Sequence, residues 1–100
     1  MIEVRYGRFE LSLTGHADAT CGFDPVCAAV STLVQSLVKV LLKHDGSLWR
    51  CYIELDKGLG VVTAVPFQGH EKETERIFEV AVEGIKLLCE DFPRNIVIAE

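Results

Sequence analysis

His16 and Cys27 lie eleven positions apart in the segment Gly15-His16-Ala17-Asp18-Ala19-Thr20-Cys21-Gly22-Phe23-Asp24-Pro25-Val26-Cys27. This segment collects an imidazole, a carboxylate and a thiol among small residues, the groups that a cysteine nucleophile requires. Asp24 followed by Pro25 predicts a helix start, with Asp24 as N-cap and Pro25 at the first helical position, where its missing N–H costs nothing. Cys27 then falls in the first turn. Backbone N–H groups there lack intrahelical acceptors, and the positive end of the helix dipole favours a thiolate. The same N–H groups can hold an oxyanion forming beside the sulfur. His16 is the general base or ion-pair partner for that thiol.

The neighbouring residues suit this chemistry. Gly15 and Ala17 leave room beside the imidazole, and Gly22 supplies a turn that lets the loop fold over the cysteine. Asp24 has two compatible roles, capping the helix or orienting His16 as the third member of a triad. Ser31 lies one helical turn beyond Cys27 and faces the same way, though a serine can also bond back to its own helix. Phe23 and Val26 offer an apolar surface where a substrate side chain could rest. Cys21 leaves a second class of function open: a thiol or metal sensor using Cys21 and Cys27. A metal set of His16, Cys21, Asp24 and Cys27 matches no common zinc spacing, so no metal and no cofactor are expected.

The remaining candidates read as scaffold. Cys51 and Cys89 fall on the apolar faces of their elements and read as core. His70-Glu71-Lys72-Glu73-Thr74 begins like a zinc-protease helix, but Thr74 occupies the second ligand position. Gly58-Leu59-Gly60 lacks the spacing and the lysine of a phosphate loop. His44 and His70 sit at helix ends, and Glu71, Glu73, Glu75 and Glu79 read as a solvated helix face.

The elements that must position the segment follow from periodicity. Alternation of Val4 and Tyr6, then Phe9, Leu11 and Leu13, across Gly7-Arg8 predicts a hairpin. A second hairpin follows, in which Trp49, Cys51, Ile53 and Leu55 alternate with Arg50, Tyr52, Glu54 and Asp56. It turns through Asp56 to Gly60 and returns over Val61 to Val65. A helix from about 24 to 43 links the hairpins. Its polar residues Thr32, Gln35, Ser36, Lys39 and Lys43 form a narrow stripe, so cover is expected on more than one side, with a second subunit as one cover. A second helix from about 70 to 92 presents Ile77, Phe78, Ala81, Ile85, Leu88, Cys89 and Phe92 on one face, with Gly84 allowing close packing. Ile96 to Ile98 form a last strand. The order ββαββαβ predicts an α+β two-layer sandwich, with two helices on a mixed sheet of about five strands. Periodicity leaves the strand order open.

Bulk composition narrows the function classes. One hundred residues, 49% of them hydrophobic, make a single domain over 1–100 with an ample core. The net charge is −5 and the ten Lys and Arg residues are scattered, so direct nucleic-acid binding has little support. A basic peptide fits this balance better. The N-terminus lacks a signal-peptide layout, and polar residues interrupt the apolar run from Val26 to Leu42, which argues against a membrane span. Four cysteines without a Cys-x-x-Cys pair read as reduced thiols, and the expected location is cytoplasmic.

Gly15-His16-Ala17, a short loop, then Gly22-x-Asp24-x-x-Cys27-Ala28-x-x-Ser31 resembles the signature of the ribosomal-processing cysteine protease family, Prp. The order of elements and the length resemble the family along the whole chain. The resemblance implies a homodimeric cytoplasmic endopeptidase that removes an N-terminal extension from large-subunit ribosomal protein twenty-seven, or processes a phage structural protein. It implies Cys27 as nucleophile, His16 as its partner and Asp24 as supporting acid, with a mobile glycine-containing loop and cleavage beside aromatic residues. Pro25 and Cys21 depart from the family pattern without removing a catalytic group. The alternative class is a non-catalytic dimeric module that binds a peptide in the loop, with Cys27 merely packed.

Overall fold

The computed structural model describes residues 1–15, 25–56 and 58–99. Strands β1 (Ile2–Gly7) and β2 (Glu10–Gly15) form the first hairpin, and helix α1 (Pro25–Lys43) follows. A 3-10 turn, Asp45–Ser47, leads into β3 (Leu48–Asp56) and β4 (Leu59–Pro66). Helix α2 (Glu71–Asp91) and β5 (Ile96–Ile98) complete the chain. The predicted ββαββαβ order and α+β sandwich are what the structure has.

The five strands make one sheet in the order β3-β4-β2-β1-β5. β5 pairs with β1 in parallel, and every other pairing is antiparallel. One face is apolar: Ile2, Val4, Leu11, Leu13, Val62 and Ala64 are all buried there. Against them pack Val26, Val30, Val34, Leu37 and Leu41 of α1, and Phe78, Ala81, Val82 and Ile85 of α2. Burying a side chain of this size is worth about 1.5–3 kcal/mol, so this layer is the main stabilising feature of the fold.

The helices pack closely at Gly84, as its predicted packing role requires. A Cβ there would lie 2.7 Å from Cδ2 of Leu33 on α1. Cover on α1 is less complete than its composition suggests. Val40 and Leu42 are exposed within the chain, as are Val80 and Leu87 on α2.

Two readings of the second hairpin need correction. Cys51 is exposed rather than core, because β3 is the sheet's edge and the helices do not cover it. Trp49 leaves the alternation: the register shifts between Leu48 and Arg50, and the indole stands 60% exposed with the Arg50 guanidinium stacked on it at 4.8 Å. Bulges of this kind twist an edge strand away from further pairing. Cys89, by contrast, is half-buried against the core, with its Sγ donating to the Ile96 carbonyl at 3.4 Å.

The acidic face of α2 is a set of clasps rather than only a solvated surface. The Glu71 carboxylate accepts the Gly69 N–H at 2.9 Å, and Arg8 of the first hairpin reaches Glu75 at 2.9 Å. His44 and His70 both bring Nδ1 to Glu73, at 3.1 and 3.0 Å, tying the end of α1 to the start of α2.

Candidate active site

Cys27 is the third residue of α1, which begins at Pro25 as the sequence predicts. A helix starting there leaves the first N–H groups without intrahelical acceptors beside the thiol. The side chain is half-buried. It rests against the core on one side and lines an open groove on the other. His16, Ala17, Cys21, Gly22, Phe23 and Asp24 lie outside the described residues.

Gly15 ends β2 immediately before His16, and its geometry explains why glycine is there. Its φ is +94°, a region that side chains with a Cβ avoid. A Cβ would also stand 2.2 Å from the Met1 carbonyl oxygen. The Gly15 N–H donates to Gly58 O at 2.9 Å, which pins the strand end against the second hairpin. The chain therefore enters the His16 segment from a fixed point on the sheet.

Ser31 is exposed on the groove side of α1, as its spacing from Cys27 predicts. Its Oγ accepts the Gln35 side-chain N–H at 2.8 Å. The back-bond to the helix is made by its neighbour, Thr32 Oγ1 to Ala28 O at 2.9 Å. Val26 is 5% exposed and belongs to the core, so it does not line the groove as the sequence reading suggested.

The groove measures about 430 Å³ and runs from Cys27 along the next two turns of α1, past Val30, Ser31, Val34 and Gln35. Its opposite wall is the end of the β3–β4 hairpin, with Leu55, Asp56, Gly58, Leu59 and Gly60. Ile2, Leu13 and Gly15 complete the lining. A cleft of this size and apolar character fits peptide side chains better than a phosphate or a free ion. Among the described residues, no group of three His, Cys, Asp or Glu side chains is placed to hold a metal.

The hairpin wall is the part of the site that sequence reasoning missed. Its signal is Gly58 and Gly60, whose spacing by itself reads as a turn. The register shows what these glycines do. Val4, Leu13, Gly60 and Leu55 form one row across four strands, and the two leucines close over Gly60, where a Cβ would lie 3.3 Å from Leu13 Cδ1 and 3.6 Å from Leu55 Cδ2.

Comparison with known proteins agrees with this fold. A Streptococcus mutans crystal structure shares the fold at TM-score 0.74 and 28% identity, covering 98% of this chain and 91% of that one. Two S. aureus crystal structures of the essential ribosomal-processing protease Prp also share it. One, with a covalently linked product peptide, has TM-score 0.74 and 21% identity, covering 97% of this chain and 94% of that chain. The other, with a substrate peptide, has TM-score 0.75 and 19% identity, covering 98% and 95%. No curated protein matches the chain. The family model of the cysteine protease Prp matches residues 1–97, nearly the whole length. With a cysteine in the first turn of a helix, an open groove beside it and a family match over residues 1–97, the chain belongs to the cysteine protease Prp family.

Proposed function

We propose that this protein is the endopeptidase that removes the N-terminal extension of large-subunit ribosomal protein twenty-seven, with Cys27 as nucleophile and His16 as its acid–base partner. The observation that carries the reading is the place of Cys27, in the first turn of α1 and lining a groove wide enough for peptide side chains. A substrate peptide and a covalently linked product peptide on the S. aureus Prp protease support the same class of substrate.

The reaction is acyl transfer. His16 takes the thiol proton, and the Cys27 thiolate attacks the scissile carbonyl carbon to form the C–S bond. The carbonyl oxygen becomes an oxyanion, held by the N–H groups at the start of α1. The C–N bond breaks as His16 returns the proton to the leaving amine. Water, deprotonated by His16, then splits the thioester, freeing the new carboxylate and the thiol. Asp24 caps α1 or orients the imidazole.

The enzyme works in the cytoplasm as a homodimer. In support, the outer groove between the helices, about 280 Å³, is lined by Leu33, Val40, Ile77 and Val80, an apolar surface that the described residues leave open. Contiguous exposed apolar surface of this kind marks an interaction site.

The dyad is tested by kinetics. His16→Ala should cut kcat/KM by several orders of magnitude while leaving peptide affinity nearly intact, as loss of a base does. The wild-type pH–rate profile should show ionisations belonging to His16 and Cys27. A profile flat from pH 5 to 9, or full activity in His16→Ala, would contradict the pairing.

A further inference from the structure

We propose that Gln35 is a positioning residue for the Cys27 chemistry: its side-chain amide holds the Ser31 oxygen as an acceptor, which turns the Ser31 hydroxyl proton toward the Cys27 sulfur. This role rests on Cys27 acting as the nucleophile.

Cys27, Ser31 and Gln35 follow one another at four-residue steps along α1, and all three line the groove. Residues four apart on a helix are surface neighbours, and their side chains lean back toward the helix N-terminus. Gln35 thus reaches back to Ser31, where its Nε2–H donates to Oγ at 2.8 Å. The same lean sets Ser31 beside Cys27. An exposed helical serine ordinarily donates to the carbonyl four residues back. Thr32 behaves in that way, donating to Ala28 O at 2.9 Å. Ser31 instead accepts from Gln35, and among the described residues that is the bond its hydroxyl makes. A hydroxyl has one proton and two lone pairs. Holding a lone pair from the C-terminal side leaves the proton for the N-terminal side, where the sulfur is.

The consequence is electrostatic. A donor to the sulfur favours thiolate over thiol, because a hydrogen bond to the charged form stabilises it. It adds to the effect of the helix start. Gln35 itself brings no charge; it sets a direction. Glutamate, of nearly the same shape, would reverse that direction, since a carboxylate only accepts. Ser31 would then turn its proton to residue 35 and present lone pairs to the sulfur. Asp56 lines the groove from the hairpin, and His16 and Asp24 are the other titratable groups of the proposed mechanism. All three are common to every variant at position 35.

The test is the rate of Cys27 alkylation by iodoacetamide against pH, read by peptide mass spectrometry. It is run in about 1 M salt, where a Debye length of about 3 Å screens a new charge at residue 35. Gln35→Glu should move the midpoint up by about 0.5–1 pH unit and slow alkylation at pH 7 by about 3- to 10-fold. Ser31→Ala should do the same, and Gln35→Ala less, because the hydroxyl is then undirected. Gln35→Glu added to Ser31→Ala should change nothing further, the mark of a residue acting through another. In peptide cleavage, Gln35→Glu should lower kcat with KM nearly unchanged. Both side chains are exposed, so the variants should keep the fold, as checked by circular dichroism. A wild-type alkylation profile in Gln35→Glu, or equal slowing with and without Ser31, would overturn the role of Gln35. Cleavage abolished by Cys27→Ala alongside either result would leave the protease reading intact. Cleavage retained by Cys27→Ala would overturn the nucleophile, and the role of Gln35 with it.

Discussion

Gly15 and Gly69 have the same backbone angle, φ +94°, in different surroundings, and this pair separates two costs that are usually mixed. Nothing lies within 4 Å of a Cβ added at Gly69. Gly69→Ala should therefore cost only the conformational penalty of a side chain at positive φ, about 1–2 kcal/mol. At Gly15 the added Cβ meets the Met1 carbonyl oxygen at 2.2 Å, more than 1 Å inside ordinary contact. Strand β1 or the end of β2 must move apart, which endangers the 2.9 Å bond from Gly15 N–H to Gly58 O. A lost backbone bond adds about 0.5–1.5 kcal/mol. The total for Gly15→Ala is then about 1.5–3.5 kcal/mol, against about 1–2 for Gly69→Ala. For a chain of this size each kcal/mol lowers Tm by about 4–8 °C. Thermal and urea unfolding of both variants, followed by circular dichroism, reads the difference. Because His16 follows Gly15, Gly15→Ala should also reduce cleavage beyond what its lost stability explains, whereas Gly69→Ala should not. Equal destabilisation by the two substitutions would refute the reasoning, since it would mean that the contact with Met1 carries no weight.

Hydrogen bonds from His70 and Ser47, with the nearby charges of His44 and His70, hold the Glu73 carboxyl below its ordinary 4.5. A carboxylate with a depressed folded value stabilises the protein above pH 4.5 and loses that contribution as pH falls through the folded value. Glu73→Gln should therefore be less stable than wild type at pH 6, with the gap closing well below pH 4.5 in urea titrations; a gap independent of pH would refute this. Gly84→Val should destabilise by about 1–3 kcal/mol by forcing α1 from α2. Adding Leu33→Ala should relieve part of that cost, because Leu33 Cδ2 is the atom in the way at 2.7 Å, and a double-mutant cycle showing strict additivity would contradict it. Burial raises the Cys51 thiol above its ordinary value, whereas Cys27 has the helix start to favour its thiolate. Iodoacetamide at pH 7 should thus label Cys27 well before Cys51 in a peptide map, and the reverse order would remove the case for a poised thiol.

The parts of this fold that depend on local pattern were legible in advance. Asp24-Pro25 predicts the first turn of α1 at the position where the structure has it, and alternation predicts both hairpins. What periodicity could not supply was which strand lies at the edge. In hindsight the charges tell: Arg50, Glu54 and Asp56 burden β3, while β4 carries Val61, Val62 and Ala64 together and sits inside the sheet. Flanked on both sides, β4 keeps Val61 and Thr63 half-buried even on the face the helices do not cover. The edge position also explains why Cys51 is exposed despite lying on the apolar side of its strand. Half of the groove was legible, since Cys27 and Ser31 share a helix face. The other half depends on a long-range register that sets Gly60 between Leu13 and Leu55, and no local window contains that information.

The central claim is that Cys27 cuts a peptide. A synthetic peptide carrying the aromatic-rich N-terminal extension of the ribosomal protein, incubated under reducing conditions with wild type and with Cys27→Ala, tests it by mass spectrometry. The account predicts cleavage at a single bond by the wild type and none by a folded Cys27→Ala protein. Cleavage by the alanine variant at the wild-type rate would contradict it.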